Sequence, residues 1–410
     1  MENDNRIKGR GWILLICPWV AIAICFLFSN GVGMMIPMIR QDLGLDLKTI
    51  SYLSTVTFGT QVILTIPVSI AANKVSPKYL IGFMLIGVAA GSFLHGLAWT
   101  MPVIIIARIL LAIGGSGLNG PLALIKDSWV PMKKITVVNG YEQFFCNSGQ
   151  VIGTLLITAL VGALGGWRNM MYVLGGVASA AAIVWFASYR ENTEHPVELS
   201  AEKESFLIPL KDALKEKSIW LLTLGWPGTT FVWIAFMTFW PTYATENLGL
   251  SLTQAGIVTG MIPLFSAISC LLAPQIANLI GKDKLMLWPW GIVLCVVYFA
   301  GINVSNFPLL CVIFAIAGFG AYAFVPIGFS LPFKLGTLSP AAINAGIAFM
   351  ITFMNLGGTL ASILVNSLMA SMDLKSALTI CCAAPLLWTA FSLFLPERGR
   401  EYQERIEKAQ

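Results

Sequence analysis

The sequence predicts an all-α membrane protein, with twelve transmembrane helices in two pseudo-symmetric six-helix bundles. Three observations lead there. The 410 residues are 57% apolar and only 11% charged, with a mean hydropathy of +0.79, whereas an ordinary soluble domain carries about 25% charged residues. Twelve stretches are apolar over roughly the 20 residues needed to cross a bilayer core at about 1.5 Å per residue. The chain also repeats itself. Asp42-Leu-Gly-Leu-Asp-Leu47 returns 205 residues on as Asn247-Leu-Gly-Leu-Ser-Leu252, and Ile70-Ala-Ala-Asn-Lys74 returns at the same offset as Gln275-Ile-Ala-Asn-Leu279. Each pair brackets one long apolar stretch, so the duplicated unit is a set of membrane helices.

In chain order the spans are about 12–37, 50–72, 80–98, 102–125, 137–164, 169–188, 219–244, 253–277, 285–303, 308–331, 342–369 and 376–395, referred to below as spans 1 to 12. The first is too long, and lacks the small-residue cleavage site, to read as a signal peptide. Pro and Gly inside many spans are compatible with a bilayer when neighbouring helices or cavity water satisfy the freed backbone groups. The longest polar segment, 189–218, joins spans 6 and 7. Domain boundaries follow: 1–190 as the first bundle, 191–218 as a linker, and 219–410 as the second bundle with a short tail. Within the linker, Phe206 to Leu214 has the pattern of a short amphipathic helix lying on the membrane surface. No loop is long enough for a soluble catalytic or nucleic-acid-binding domain.

Orientation follows from the basic residues. With the N-terminus inside, 20 of the 25 Lys and Arg fall in cytoplasmic segments, and only Arg40, Lys48, Arg168 and Lys375 fall outside. The positive-inside rule then places both termini and the 189–218 loop in the cytoplasm, in a cell inner membrane. The bilayer accounts for the net charge of +5 without nucleic acid.

Four local features carry a family resemblance. Ser69 to Leu80 is similar to a G-x-L-A-D-R-x-G-R-K loop between helices two and three, with Asn73 in place of Asp and Pro77 in place of Arg. Pro274 to Lys284 echoes it, keeping Gly281 and carrying Asn278 for Asp. Arg108 heads a Gly-rich run through Gly117, and Gly166-Trp-Arg168 precedes span 6. Asn147-Ser-Gly149 in span 5 and Asn355-Leu-Gly-Gly358 in span 11 hold equivalent places in the two halves. Together with the topology, residues 11–395 resemble the major facilitator superfamily, without singling out a branch. The resemblance implies a single subunit that moves a small solute by alternating access, with a proton or sodium ion as candidate coupling ion and no cofactor.

Arg108 and Glu142 are the two formal charges well inside the hydrocarbon region. A charge there costs at least a few kcal/mol, so each is expected to face protein or cavity water. Arg108 lies about 10 Å in from the outer end of span 4, and Glu142 about as far from the inner end of span 5. Arg108 therefore needs a partner other than Glu142: an anionic substrate, or carbonyls of span 1 and cavity water. Glu142 is the candidate proton carrier, or a structural partner of Lys126 or Lys133. Gln143, Asn147, Gln150 and Thr154 share one helical face of span 5. Thr352, Asn355, Thr359, Ser362 and Asn366 repeat the device in span 11, and a shared central cavity or interhelical hydrogen bonding would explain both. Trp226 and Trp233 on span 7 are candidate substrate contacts or packing residues. Asn73, Lys74, Lys78, Asp127 and Asn278 are candidate gating residues, with Asp127 facing Lys74 or Lys78 when the cytoplasmic side is shut. Gly114, Gly115, Gly117 and Gly120 would let another helix approach span 4.

Cys17, Cys25, Cys146, Cys270, Cys295, Cys311, Cys381 and Cys382 read as reduced packing residues. Neither His95 nor His195 suggests a metal site or a histidine proton relay. The absence of any activated Ser or Cys constellation argues against an enzyme or a signalling protein. The expected substrate is a small organic or inorganic anion, the alternative being proton-coupled export of a drug or metabolite. Span 1 lacks an acidic residue, which weakens the alternative.

Overall fold

The computed structural model describes residues 7, 9–44, 56–57, 59–64, 67–68, 71, 74–192, 207–400 and 402. The described residues are helical almost throughout and contain no strand. Along the first half they form α1 (Gly9–Leu43), α2 (Pro77–Leu97), α3 (Met101–Gly117), α4 (Asn119–Trp129), α5 (Ile135–Val151), α6 (Ile157–Ala163) and α7 (Trp167–Ser188). A short α8 (Leu207–Lys215) coincides with the expected amphipathic segment. The second half follows with α9 (Lys217–Glu246), α10 (Leu252–Ile280), α11 (Pro289–Asn303), α12 (Phe307–Ala323), α13 (Val325–Lys334), α14 (Pro340–Met369), α15 (Leu374–Cys381) and α16 (Leu386–Ser392).

Among the described residues ten helices are long and apolar enough to cross a membrane. The two remaining spans differ for separate reasons. Span 2 lies largely outside the described residues, although 56–57 and 59–64 are helical. Span 5 is interrupted, because a π-helical turn over Ile152–Leu156 separates α5 from α6.

Span 4 and span 10 also break, at Leu118 and Phe324. The cause is legible once the breaks are seen. Pro121 and Pro326, again 205 residues apart, lack the N–H that would continue the i→i−4 ladder across each junction. The duplication is thus written into the backbone as well as the loops.

Close packing repeats in the same way. A Cβ on Gly149 would lie 2.0 Å from the Ala23 carbonyl oxygen, joining span 5 to span 1. A Cβ on Gly357 would lie 2.5 Å from the Pro227 carbonyl oxygen, joining span 11 to span 7, the equivalent pair. Trp185 Nε1 of α7 donates to the Lys78 carbonyl at 2.9 Å, and Trp388 Nε1 of α16 donates to the Leu287 carbonyl at 2.7 Å. Each ties the last span of a half to the start of its third. Of the span 4 glycines, a Cβ on Gly114 would meet Val88 of α2 and one on Gly115 would meet Cys25 of α1.

The contacts divide the chain into two compact units. The first holds Met1–Ile135, Phe145–Ala213 and Leu338–Phe349; the second holds Thr136–Phe144, Leu214–Thr337 and Met350–Gln410. The first half of α5, Thr136–Phe144, belongs to the second unit, and a Cβ on Gly140 there would lie 2.4 Å from the Cys270 carbonyl oxygen. In the first unit α2 packs on α7 and α3, and α1 on α7. In the second, α10 packs on α12 and α9 on α16.

Candidate functional site

Arg108 lies on α3 in the first unit and is 1% exposed. Its Nη1 donates to the Phe28 carbonyl of α1 at 3.1 Å and to Thr57 Oγ1 at 3.4 Å. These two bonds aim one end of the guanidinium at backbone and hydroxyl oxygens. The other edge, Nε and Nη2, has no hydrogen-bond partner among the described residues. A guanidinium is a rigid fork of five N–H donors that cannot shed its charge in water. The free edge therefore presents parallel donors that fit a bidentate acceptor.

A second buried polar group stands beside the same phenylalanine. His95, in the last turn of α2, is fully buried. Its ring stacks on Phe28 at 5.5 Å between centroids and meets Trp167 edge-on at 6.0 Å. Neither ring nitrogen has a hydrogen-bond partner among the described residues. Composition alone gave no sign of this, because a lone histidine near a helix end is usually unremarkable. The available signal was its place three residues from the α2–α3 turn, on the span that precedes Arg108.

An outer clasp closes this end of the unit. Arg168 at the start of α7 pairs with Asp42 at the end of α1 at 3.0 Å. Arg168 Nη1 also donates to the carbonyls of Gly96 at 3.0 Å and Ala98 at 2.6 Å. Its guanidinium lies between the rings of Trp99 at 4.0 Å and Trp167 at 4.4 Å. Trp167 Nε1 donates to Asp42 at 3.2 Å. The Trp-Arg pair noted in the sequence is thus a tie between α1, α7 and the α2–α3 turn, and it fixes the backbone that carries His95.

A family model for the Major Facilitator Superfamily matches residues 19–330, well over half of the chain. The chain belongs to the Major Facilitator Superfamily. It is therefore an integral, multi-pass membrane protein of a transporter family, not an enzyme. A "Probable L-galactonate transporter" of Escherichia coli K12 is 22% identical over 299 residues, covering 69% of this chain and 65% of the relative. A "Probable nitrate transporter" of Staphylococcus carnosus is 24% identical over 278 residues, covering 68% of each. The chain thus spans about two thirds of the length of these relatives. The crystal structure of the Escherichia coli fucose:proton symporter shares the fold, with a TM-score of 0.73 at 13% identity, covering 93% of this chain and 98% of that one.

The other residues singled out in this superfamily member fall as follows. On α5, Glu142, Gln143, Asn147 and Gln150 are all buried, so the polar stripe faces protein rather than lipid. Thr154, within the π turn, donates to the Gln150 carbonyl at 2.9 Å. A π turn beside a buried amide stripe is a common mark of functional helices. By the contact division, Asn147 and Gln150 belong to the first unit, and Glu142 and Gln143 to the second. Asn355 and Thr359 of α14 are half-buried in the second unit, where Thr359 Oγ1 donates to the Asn355 carbonyl at 2.9 Å. The side chains of Ser362 and Asn366 lie outside those described. Trp226 is enclosed by Phe324, Phe329 and Trp388, and Trp233 meets Tyr322 at 5.2 Å. These are packing contacts.

Asn73 lies outside the described residues. Lys74 is exposed, Lys78 is half-buried with its ammonium 5.7 Å from the Tyr79 ring, and Asp127 is exposed near the end of α4. Asn278 is half-buried in the last turn of α10. Sequence reasoning missed the charged cluster close to it. Asp283 pairs with Lys334 at 2.6 Å, with both side chains less than 10% exposed. Glu397 accepts from the backbone N–H groups of Asp283 at 2.7 Å and Lys284 at 3.2 Å. The signal was present in Gly281-Lys-Asp-Lys284, one turn past the loop residue that drew attention. Among the described residues no group of three or more His, Cys, Asp and Glu could hold a metal.

Proposed function

We propose that this protein is a secondary active transporter of a small anion, which docks on the free Nε–Nη2 edge of Arg108. Transport proceeds by alternating access between a first bundle over 1–190 and a second over 219–410. One observation carries the reading. A buried guanidinium has its Nη1 committed to Phe28 and Thr57 and its Nε and Nη2 open to a ligand. L-Galactonate and nitrate, named for the two relatives, each present a planar set of anionic oxygens, and this supports the same chemistry here. Asn147 and Gln150, buried in the same unit as Arg108, supply candidate hydrogen bonds to the rest of the solute. The protein is a monomer in a cell inner membrane, with both termini cytoplasmic, and works as a symporter.

Binding of nitrate and of L-galactonate to purified protein tests this through ligand-dependent thermal stabilisation. Arg108→Lys keeps the charge but loses the fork, so the affinity of the better ligand should fall about tenfold or more. Arg108→Ala should abolish binding while the protein remains inserted. If Arg108→Gln binds and transports as well as the parent, Arg108 is scaffold. The substrate is then to be sought among neutral or cationic solutes, including exported drugs or metabolites.

A further inference from the structure

His95 has no task in anion binding by Arg108 alone, yet its placement is costly. Its imidazole sits at 0% exposure between the rings of Phe28 and Trp167. In neutral imidazole one ring nitrogen donates and the other accepts. Among the described residues neither function is met. A buried polar group without a partner is destabilising, and an apolar side chain would fill the same space better. The position therefore holds a group whose partner arrives with something else.

The charges around it narrow what that is. Arg108 and Arg168 are both close enough to act electrostatically on the imidazole. From α7, Arg168 is already paired with Asp42, the carboxylate that α1 contributes at this end. From α3, Arg108 is the remaining charge, tied to the Phe28 backbone while His95 stacks on the Phe28 ring. With Arg108 bare, a second positive charge on His95 is opposed. An anion on Arg108 offsets that repulsion, and its oxygen gives a protonated imidazole in this dry pocket the acceptor that compensates its desolvation.

Resting on the reading of Arg108 as the anion site, we propose that His95 takes up one proton when an anion docks on the free edge of Arg108, so that anion and proton bind and travel together. The proton comes from the bulk on the side to which the site is open. It adds to a ring nitrogen without breaking any other bond, and it leaves as the anion leaves. A monoanion and a proton together carry no net charge, which makes this an electroneutral symport step. Glu142, the candidate proton carrier or structural partner of Lys126 or Lys133, is then not needed for this proton.

The test uses the full chain, with nitrate and L-galactonate as probes. Calorimetric titration near pH 7 in two non-binding buffers of different ionisation enthalpy counts the protons taken up per anion. The expected count in the parent approaches one, and Kd should weaken up to about tenfold per pH unit on the alkaline side. His95→Gln should bind a probe with a Kd that no longer follows pH. The chain has only two histidines. Isotope-labelled imidazole signals, with His195→Gln removing the other, should therefore show one ring gaining a proton on anion addition, whether or not His95→Gln folds. A probe that binds the parent with no proton uptake and a flat pH profile overturns the proposal and leaves the anion reading standing. A pH response that persists in His95→Gln, or labelled imidazoles that stay neutral on binding, places the proton elsewhere and also overturns it. If neither probe binds the parent at any pH, the anion reading itself fails.

Discussion

At the scale of single residues, buried charges divide into two kinds. Asp283 and Lys334 meet each other at 2.6 Å in the second unit, and Glu397 braces the same turn through two backbone N–H groups. Such a pair adds little over a well-packed apolar substitute, but removing one partner strands the other in a dry site. Lys334→Met should therefore destabilise the protein by about 3 kcal/mol. The double variant Lys334→Met with Asp283→Asn should recover much of that loss. Denaturation midpoints in detergent for the two single variants and the double variant measure the coupling, and additive losses would show that the pair is not a unit. Arg108 is the second kind, since its unmet donors await a partner. The sequence marked Arg108 because a charge within an apolar run is conspicuous. It hid Asp283 because that carboxylate stands in a polar loop, where charges are ordinary, and its burial comes from Lys334 some 50 residues away in sequence. His95 was hidden for the same reason. Its burial depends on Phe28 and Trp167 from two other helices, and no local pattern reports that.

Among elements, the spans themselves were legible, because length and hydropathy are local properties. The breaks within them were less so. Pro121 and Pro326 divide spans 4 and 10 at matching positions, but Pro is tolerated in many membrane helices and its presence alone does not predict a break. The π turn at Ile152–Leu156 has no proline at all, so composition offers nothing to mark it. Helix contacts were partly legible through glycine. A Cβ on Gly149 would press on the Ala23 carbonyl and one on Gly357 on the Pro227 carbonyl, both backbone atoms that cannot swing aside. Gly149→Ala and Gly357→Ala should each destabilise by about 1–3 kcal/mol through overpacking. Gly176→Ala, on an exposed face of α7 with nothing within 4 Å of the new Cβ, should be neutral or slightly stabilising by helix propensity. Thermal midpoints of the three variants check this. A loss at Gly176 equal to that at Gly149 would mean that the contacts with α1 and α9 are not what the glycines serve. The clasp belongs at this scale too. Arg168→Ala removes two carbonyl bonds, a half-exposed ion pair and a ring sandwich, and should cost about 2 kcal/mol. Arg168→Lys should recover only part of it, because a point charge cannot serve Asp42, two carbonyls and two indoles together.

For the molecule as a whole, the charge bias makes a claim about orientation that the helices alone do not. Twenty of the 25 basic residues fall in segments on one side of the proposed topology, and a bias of that size sets which face stays in the cytoplasm. The eight native cysteines lie in apolar spans, so a Cys-less background is a practical host. Glu191 and Lys375 are both exposed and described, one just past α7 and the other in the first turn of α15. Single cysteines placed there, as Glu191→Cys and Lys375→Cys, sit on opposite faces of the membrane in the proposed topology. In intact cells an impermeant thiol reagent should modify the Lys375→Cys protein and spare the Glu191→Cys protein. After the membrane is opened it should modify both. The reverse pattern would invert the topology and place the 189–218 segment outside. Labelling of both sites in intact cells would contradict the odd count of spans, five, between them. Either result would also move Arg108 to the opposite end of its span relative to the cytoplasm, and with it the side from which His95 could draw a proton.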